Sequence, residues 1–124
     1  MKKLLTLLLL IGAILPGLRA AEPAADTVDV TFTYSPNRRE AQTIKEVTVA
    51  GSFNNWDAFS TEMKKRDDGI WAVTVKLKKG KTQWKLLVNG NWIQNMETIA
   101  DKIAPKPIMF SKDPYGGKNC ENDF

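Results

Sequence analysis

Two segments of the chain bring tryptophan and asparagine together where strands are predicted to end. The first, Val47 to Trp56, alternates apolar and polar residues and then runs Gly-Ser-Phe-Asn-Asn-Trp. The second, Trp84 to Trp92, contains Lys85 and passes through Asn-Gly before its last tryptophan. A flat indole suits the apolar C–H face of a pyranose ring, and lysine and amide groups can hydrogen-bond the ring hydroxyls. These residues therefore predict a sugar-binding face that contains Trp56, Lys85 and Trp92.

Catalysis has less support in the sequence than binding. The chain contains no histidine, which excludes histidine-based triads and most zinc chemistry. Carboxylates are available for glycoside hydrolysis, but they lie in predicted turns and loops, where solvated acids are ordinary. A domain of this size also leaves little room for a buried catalytic cleft. We therefore expect a non-enzymatic protein without a cofactor or a metal. The carboxylates in question are Asp57, Glu62, Asp67, Asp68 and Asp101.

The first twenty residues have the pattern of a secretory signal peptide. Two lysines precede an almost wholly apolar run from Leu4 to Ile14, and the segment ends in small residues around Ala20. The apolar run is short for a membrane span, and an uncleaved anchor is the alternative. The sequence predicts an exported protein, periplasmic or secreted, without stable membrane insertion after cleavage. The N-terminal part of the chain therefore divides into a signal peptide at 1–20 and a flexible lead at 21–27.

Removal of the signal peptide changes the charge balance of the chain. The whole sequence has 18 lysines and arginines against 14 acidic residues, and three of the basic residues lie in the first twenty positions. The mature chain then carries 15 basic and 14 acidic residues, a net charge of +1. Nucleic-acid binding relies on neutralising phosphates with basic side chains, so it is not expected. Lysines cluster around Gly80, and we interpret them as the solvated end of a hairpin. They are Lys76, Lys78, Lys79 and Lys81.

The rest of the chain predicts one small all-β domain with a sandwich fold. Trp71 and Trp84 lie on the apolar sides of alternating strands, so we expect them in the core. The same alternation places Lys85 on the face opposite Trp84. Asn54 and Asn55 are expected to shape the bend after their strand. The domain spans 28–124, with strands at 28–34, 47–49, 70–77 and 82–88 and a hairpin that pairs 63–65 with the strand from residue 70.

Four segments occur in the order and spacing of carbohydrate-binding module family 48, and the chain resembles this family from about Val28 to Asn119. The family is similar to the glycogen-binding domain of the beta subunit of AMP-activated protein kinase. It is also similar to the N-terminal early-set immunoglobulin-like domain of isoamylases and branching enzymes. The resemblance implies an immunoglobulin-like β-sandwich that binds α-glucan. The four segments are Gly51 to Trp56, Asp68 to Trp71, Trp84 to Trp92 and Asp113 to Asn119.

The resemblance implies roles for five residues. Trp56 and Trp92 match the tryptophans that stack on glucose rings, and Lys85 matches the lysine that bonds sugar hydroxyls. Asn119 matches the asparagine that completes this polar contact, and Tyr115 falls where an apolar residue packs against the ring. Taken without the resemblance, four of the five have a structural alternative: a core position for Trp56 or Trp92, a surface position for Lys85, and a glycine-rich turn for Asn119.

Two regions depart from the family's pattern. The usual Asp-Pro pair soon after Trp92 is absent, so the sequence does not predict the path of the loop that leads to Asp113. After Asn119 the chain continues as Cys-Glu-Asn-Asp-Phe, where the family normally has an apolar strand. We therefore expect a truncated last strand, or a sheet edge completed by a partner. Cys120, the one cysteine, leaves open a free thiol or a dimer linked by an intermolecular disulfide.

Two functional interpretations follow from these residues. The first is non-catalytic binding of α-glucan, such as glycogen, starch or maltooligosaccharide, by an exported stand-alone module that retains polysaccharide for a separate glucan-active enzyme. The second is an immunoglobulin-like protein-interaction module that assembles with an envelope protein, because one fold can host many functions. The tryptophan and lysine set favours sugar, whereas the unusual loop after Trp92 favours a protein partner.

Overall fold

A computed structural model describes residues 26–124, so the predicted signal peptide at 1–20 and the lead up to residue 25 lie outside the described part. The helical segments within residues 26–124 fall short of the length and apolar character of a membrane span. In chain order the elements are β1 (Thr27–Tyr34), α1 (Arg38–Ala41), β2 (Val47–Gly51), β3 (Lys64–Lys65), β4 (Trp71–Lys78), β5 (Lys81–Val88), β6 (Asn91–Trp92), β7 (Ile103–Ala104), β8 (Met109–Lys112) and β9 (Lys118–Asp123), with 3₁₀ turns at Ser52–Asn54 and Met96–Lys102.

The strands form two sheets. The first has the order β3-β4-β1-β7, and the second has the order β2-β5-β9-β8, with β6 also paired to β5. The strands pair antiparallel throughout both sheets. The predicted all-β sandwich is confirmed. The predicted hairpin between β3 and β4 is confirmed as well, with Gly69 at a φ of 87° in its turn.

The core is filled by alternate residues of the long strands, as expected for packed sheets. Phe32 on β1 meets Trp84 on β5 edge to face, with ring centroids 4.8 Å apart. Phe53 stacks on Phe32 at 5.6 Å. Trp71 and Trp84 are both buried, as the alternation of their strands predicted. Complete burial of a side chain such as Phe32 stabilises the fold by about 1.5–3 kcal/mol.

The segment after Trp92, whose path the sequence did not predict, packs against the core. Met96, Ile99 and Ile103 are buried, and the backbone N–H of Leu86 donates to Met96 Sδ at 3.4 Å. The segment then continues into β7, which pairs with β1 at the edge of the first sheet. It therefore supplies apolar side chains and an additional strand to the sandwich.

The expectation of a truncated last strand is wrong. β9 is a six-residue strand that lies between β5 and β8 in the second sheet, so no partner strand completes it. Its polar residues are accommodated because they find partners inside the protein. The Trp84 indole N–H donates to Asn122 Oδ1 at 2.9 Å, and Asn122 Nδ2 donates to the Lys106 carbonyl at 2.8 Å. A buried polar side chain satisfied in this way can occupy a position that the sequence pattern reserves for apolar residues.

The lysines around Gly80 do not lie at the end of a hairpin, which corrects the interpretation from sequence. β4 and β5 belong to different sheets, so the Lys79-Gly80 connection crosses from one sheet to the other. Gly80 exchanges two backbone hydrogen bonds with Phe124, of 2.8 and 2.9 Å. Lys76 forms an exposed ion pair with Asp29 at 3.0 Å. A turn signal indicates where a strand ends, but it does not say which sheet the next strand joins.

Of the two alternatives left open for Cys120, the structure supports the free thiol and not the disulfide-linked dimer, because Cys120 is fully buried. It lies on β9 directly opposite Trp84 in the pairing with β5. Burial raises the pKa of the Cys120 thiol to about 12. Disulfide formation requires an accessible thiolate, and a buried thiol with this pKa provides neither access nor charge.

Candidate functional site

A tight turn between β5 and β6 places Trp92 beside the second sheet. Asn89 and Gly90 have φ values of 52° and 79°, the positive values that two-residue hairpin turns require. The Asn89 side chain also accepts a hydrogen bond from the Lys45 backbone N–H at 2.7 Å. Trp92 pairs in register with Leu87, and directly paired residues share a face of the sheet. The indole of Trp92 therefore lies on the outer face, beside the buried Leu87.

Trp56 follows β2 in a bend that Asn54 holds. The Gly51 backbone N–H donates to Asn54 Oδ1 at 3.0 Å, and Asn54 Nδ2 donates to the Val49 carbonyl at 3.2 Å. Asn55 and Trp56 have φ values of 57° and 58°, a region that bulky residues rarely adopt. The hydrogen bonds of Asn54 offset this strain. The expected role of Asn54 and Asn55 in shaping the bend is confirmed, and the bend fixes where the Trp56 indole lies.

The two indoles stand side by side at a cleft. The ring centroids of Trp56 and Trp92 are 6.5 Å apart, and their planes are tilted by 46°. Trp92 is 38% exposed and Trp56 is half-buried. Both line a cleft of about 800 Å³, and pockets of about 300–1,000 Å³ are typical of small-molecule sites. The pair therefore forms an accessible aromatic wall rather than part of the core.

Lys85 projects from the face opposite Trp84, as predicted, but it is not an exposed lysine. It is 5% exposed and lines the cleft. Its ammonium group donates to the Gln94 carbonyl at 2.7 Å and forms a short ion pair with Asp113. An ammonium group has three N–H donors, so one remains for a ligand in the cleft. Because a buried charge without a partner is costly, Gln94 and Asp113 hold the ammonium group in place.

Asp113 is a site residue whose role sequence reasoning missed. Its Oδ1 accepts hydrogen bonds from the Tyr115 and Gly117 backbone N–H groups, at 2.7 and 2.9 Å. The hydrogen bond from Lys85, together with these backbone bonds, lowers the pKa of the Asp113 carboxyl to about 2. An aspartate that caps a glycine-rich turn is a recognisable local signal. Its pairing with Lys85 is not, because the two residues are 28 positions apart.

Asn119 borders the cleft and carries an unsatisfied acceptor. It is 4% exposed, lines the cleft, and lies within β9 rather than in the turn that precedes it. Its Oδ1 is buried and has no hydrogen-bond partner among residues 26–124. Leaving a buried acceptor unpaired costs about 1–3 kcal/mol. The structure thus places Asn119 in a strand that borders the cleft and not in the glycine-rich turn before it.

Tyr115 lies in the loop between β8 and β9 and is 87% exposed. It lines the same cleft as the other four residues that the resemblance singled out. The cleft also contains residues that were not predicted, although the alternation of β5 places Gln83 on the same face as Lys85 and could have indicated it. These additional lining residues are Gln83, Gln94, Lys112, Asp113 and Pro114.

Comparisons with known proteins identify the family to which the chain is similar. A family model described as carbohydrate-binding module 48 (isoamylase N-terminal domain) matches residues 24–116. The match includes Trp56, Lys85, Trp92 and Tyr115 and ends before Asn119. The protein named PTST homolog 2, chloroplastic, from Arabidopsis thaliana is 38% identical over 67 residues, which cover 53% of this chain and 11% of that relative. The chain thus spans about a tenth of the length of the relative.

Proposed function

Because the chain belongs to carbohydrate-binding module family 48, we propose that its cleft binds α-glucan chains without catalysing their conversion. The ligand is glycogen, starch or a maltooligosaccharide. One observation carries the proposal: the tilted indoles of Trp56 and Trp92 adjoin a cleft that also contains the buried polar groups of Lys85 and Asn119. An aromatic wall beside incompletely satisfied polar groups matches the two chemical faces of a sugar ring.

Each part of the cleft has a role in binding. Trp56 and Trp92 stack on the apolar C–H faces of glucose rings. The remaining N–H of Lys85 donates to a hydroxyl oxygen, and the side-chain amide of Asn119 hydrogen-bonds a hydroxyl group. A hydroxyl group can donate and accept, so one sugar can satisfy both groups. Tyr115 covers the outer side of the bound ring.

The tilt of the aromatic pair favours α-linked glucan over β-linked glucan. Successive rings of an α-1,4-linked chain turn relative to one another, whereas those of a β-1,4-linked chain form an extended, flat ribbon. The planes of Trp56 and Trp92 differ by 46° with their centroids 6.5 Å apart. Neighbouring rings of a turning chain can stack on two such surfaces, but a flat ribbon requires coplanar ones.

The affinity of the isolated domain is expected to be weak. The cleft is open to water, and every sugar hydroxyl that binds gives up hydrogen bonds to solvent. Association also costs translational and rotational freedom, which a small contact area offsets only in part. Weak, reversible binding suits a module that retains polysaccharide for a separate enzyme, which is the biological role we propose.

We further propose that the mature protein is exported, to the periplasm or the medium, after cleavage of residues 1–20. The basic start and the apolar run of this segment support the proposal. Intact mass measurement of the protein recovered from the exported fraction would test it. A mass that corresponds to cleavage after Ala20 or Ala21 is expected. A full-length mass, or retention inside the cell, would contradict export.

Affinity electrophoresis tests the glucan proposal directly. The mature domain is run in native gels that contain glycogen, amylopectin, hydroxyethylcellulose or no polysaccharide. Glycogen and amylopectin should retard the wild type, and hydroxyethylcellulose should not. Trp56→Ala and Trp92→Ala should migrate as if no polysaccharide were present. Phe59→Ala is the matched control, because Phe59 is an aromatic side chain, 82% exposed, that does not line the cleft.

The outcomes of this experiment separate the two candidate functions. Retardation that Trp56→Ala and Trp92→Ala abolish, and that Phe59→Ala retains, supports a stacking surface for glucan. A wild-type domain whose mobility is the same in every gel would contradict the glucan proposal. The protein-interaction function would then be the one to pursue, by searching for an envelope partner.

A further inference from the structure

Gln83 extends the polar part of the cleft beyond Lys85. The two residues are two positions apart on β5, so their side chains share a face and their Cα atoms are separated by about 7 Å. Gln83 lines the same cleft as Lys85 and Asn119. A ligand bound at Lys85 that continues along β5 therefore meets the Gln83 side chain next.

Glu121 on the adjacent strand β9 and Ser111 on β8, one strand further away, fix the orientation of the Gln83 amide. Gln83 Nε2 donates to Glu121 Oε1 at 2.9 Å and to Ser111 Oγ at 3.2 Å. The hydrogen bond from Gln83 and the nearby charge of Lys81 lower the pKa of the Glu121 carboxyl. Since an ionised carboxylate can only accept hydrogen bonds, the amide group that faces it must be the NH₂.

This orientation leaves the other amide atom free. Both N–H groups of Gln83 are used by Glu121 and Ser111, and its Oε1 accepts no hydrogen bond from the described residues. Glu121 is only 6% exposed, so solvent competes weakly for its bond to Gln83. Donation to a charged acceptor also polarises the amide and strengthens its oxygen as an acceptor. The result is a fixed acceptor on the same face as Lys85.

We propose that Gln83 forms an additional glucose-binding position in the cleft, where its Oε1 accepts from a hydroxyl of a glucose unit next to the one bound at Lys85 and Asn119. Glu121 and Ser111 act as positioning residues that keep this oxygen turned toward the ligand. The inference rests on the proposed function, since it extends the same site along the chain of an α-linked oligosaccharide. It predicts that Gln83 matters for long oligosaccharides and not for short ones.

Isothermal titration with maltose and with maltoheptaose tests this dependence on chain length. Gln83→Met keeps the length of the side chain but removes the amide. It should weaken maltoheptaose binding about three- to tenfold, the effect of losing one neutral hydrogen bond, and should change maltose binding less than twofold. Thr74→Val is the matched control, because Thr74 bonds Thr31 on the other sheet at 2.8 Å. It should bind both sugars as the wild type does.

Glu121→Gln tests the positioning role without removing Gln83. An amide at position 121 can donate as well as accept, so the Gln83 amide is no longer held in one orientation. The change in the logarithm of the Kd for maltoheptaose should be about half of that caused by Gln83→Met. The Kd for maltose should not change. This length-selective loss is a readout that a purely structural role would not produce. It also keeps the test valid if Gln83→Met does not fold.

The outcomes distinguish this inference from the proposed function. A wild-type protein that binds neither sugar, nor glycogen, overturns both. A wild type that binds maltoheptaose and loses it in Trp56→Ala, while Gln83→Met and Glu121→Gln bind both sugars like the wild type, overturns only the role of Gln83. Equal weakening of both sugars by Gln83→Met would likewise contradict a separate glucose-binding position.

Discussion

The Lys85 ammonium and the Asp113 carboxylate form an ion pair in which each side chain is only 6% exposed. The pair joins the middle of β5 to the loop between β8 and β9. It thereby connects the polar part of the cleft to the segment that carries Tyr115. Removing one partner of a buried pair leaves the other charged and unpaired, which is more damaging than the loss of the attraction itself. Stability and ligand binding should therefore change together when Asp113 is altered.

Asp113→Asn should lower both stability and glucan affinity. The asparagine can still accept from the backbone of the loop, but the Lys85 charge loses its counterion. The midpoint of urea unfolding should fall, and so should retardation on glycogen gels. Asp29→Asn is the matched control, because it removes an ion pair to Lys76 whose side chains are 64% exposed, and such pairs contribute little. Equal unfolding midpoints for Asp113→Asn and Asp29→Asn would contradict a buried structural pair.

The contribution of Asp113 should depend on pH in a defined direction. Its pKa is lowered to about 2 in the folded protein, against about 3.9 for an unperturbed aspartate. Between these values the unfolded state binds more protons, so stability rises with pH. The stabilisation is complete above about pH 4 and is lost as the pH falls toward about 2. Urea midpoints of wild type and Asp113→Asn should converge on acidification, and a difference that stays constant would contradict this assignment.

Glucan binding should change the fluorescence of only two of the four tryptophans. Trp71 and Trp84 are buried in the core, whereas Trp56 and Trp92 line the cleft. Titration with maltoheptaose should shift the emission of the wild type. Each single alanine variant should bind about thirtyfold more weakly, the effect of about 2 kcal/mol expected for a central aromatic contact. A shift that persists in the variant lacking both Trp56 and Trp92 would place the ligand elsewhere.

Cys120 should be unreactive in the native protein. It is fully buried, and burial raises the pKa of its thiol to about 12, so almost no thiolate is present at neutral pH. Ellman's reagent should detect no thiol before unfolding and one thiol per chain in guanidinium. Non-reducing gels of oxidised native protein should show a monomer. Rapid labelling of the native protein, or a covalent dimer, would show that β9 opens in solution.

Asn122→Ala should destabilise the fold by about 1–3 kcal/mol, because it leaves the buried indole N–H of Trp84 without its acceptor. The native bond is 2.9 Å long. Guanidinium unfolding measures the change. Asn91→Ala is a suitable control, since Asn91 is exposed in the short strand β6. If Asn122→Ala lowered the free energy of unfolding no more than Asn91→Ala does, a water molecule would be replacing the lost acceptor.

The sequence determined which tryptophans are structural and which are accessible. Trp71 and Trp84 lie within strands whose period-two alternation assigns each side chain to a face. Trp56 and Trp92 follow asparagines at strand ends, where a turn directs them out of the core. The position of a tryptophan within a strand or at its end can be read from neighbouring residues, so predicting it does not require knowledge of the fold. The β-sandwich and the face on which Lys85 lies could be predicted for the same reason.

Tertiary structure alone decided which residues are neighbours across strands. Alternation reports the face of a strand but not the strand that lies beside it, because register is set by pairing over long stretches of chain. Asp113 meets Lys85 across 28 positions, and Asn122 meets Trp84 across 38. Through the first of these pairings, Lys85 is part of a buried ion pair and not a surface lysine. Through the second, the polar segment that contains Cys120 is an inner strand of the second sheet and not a truncated tail.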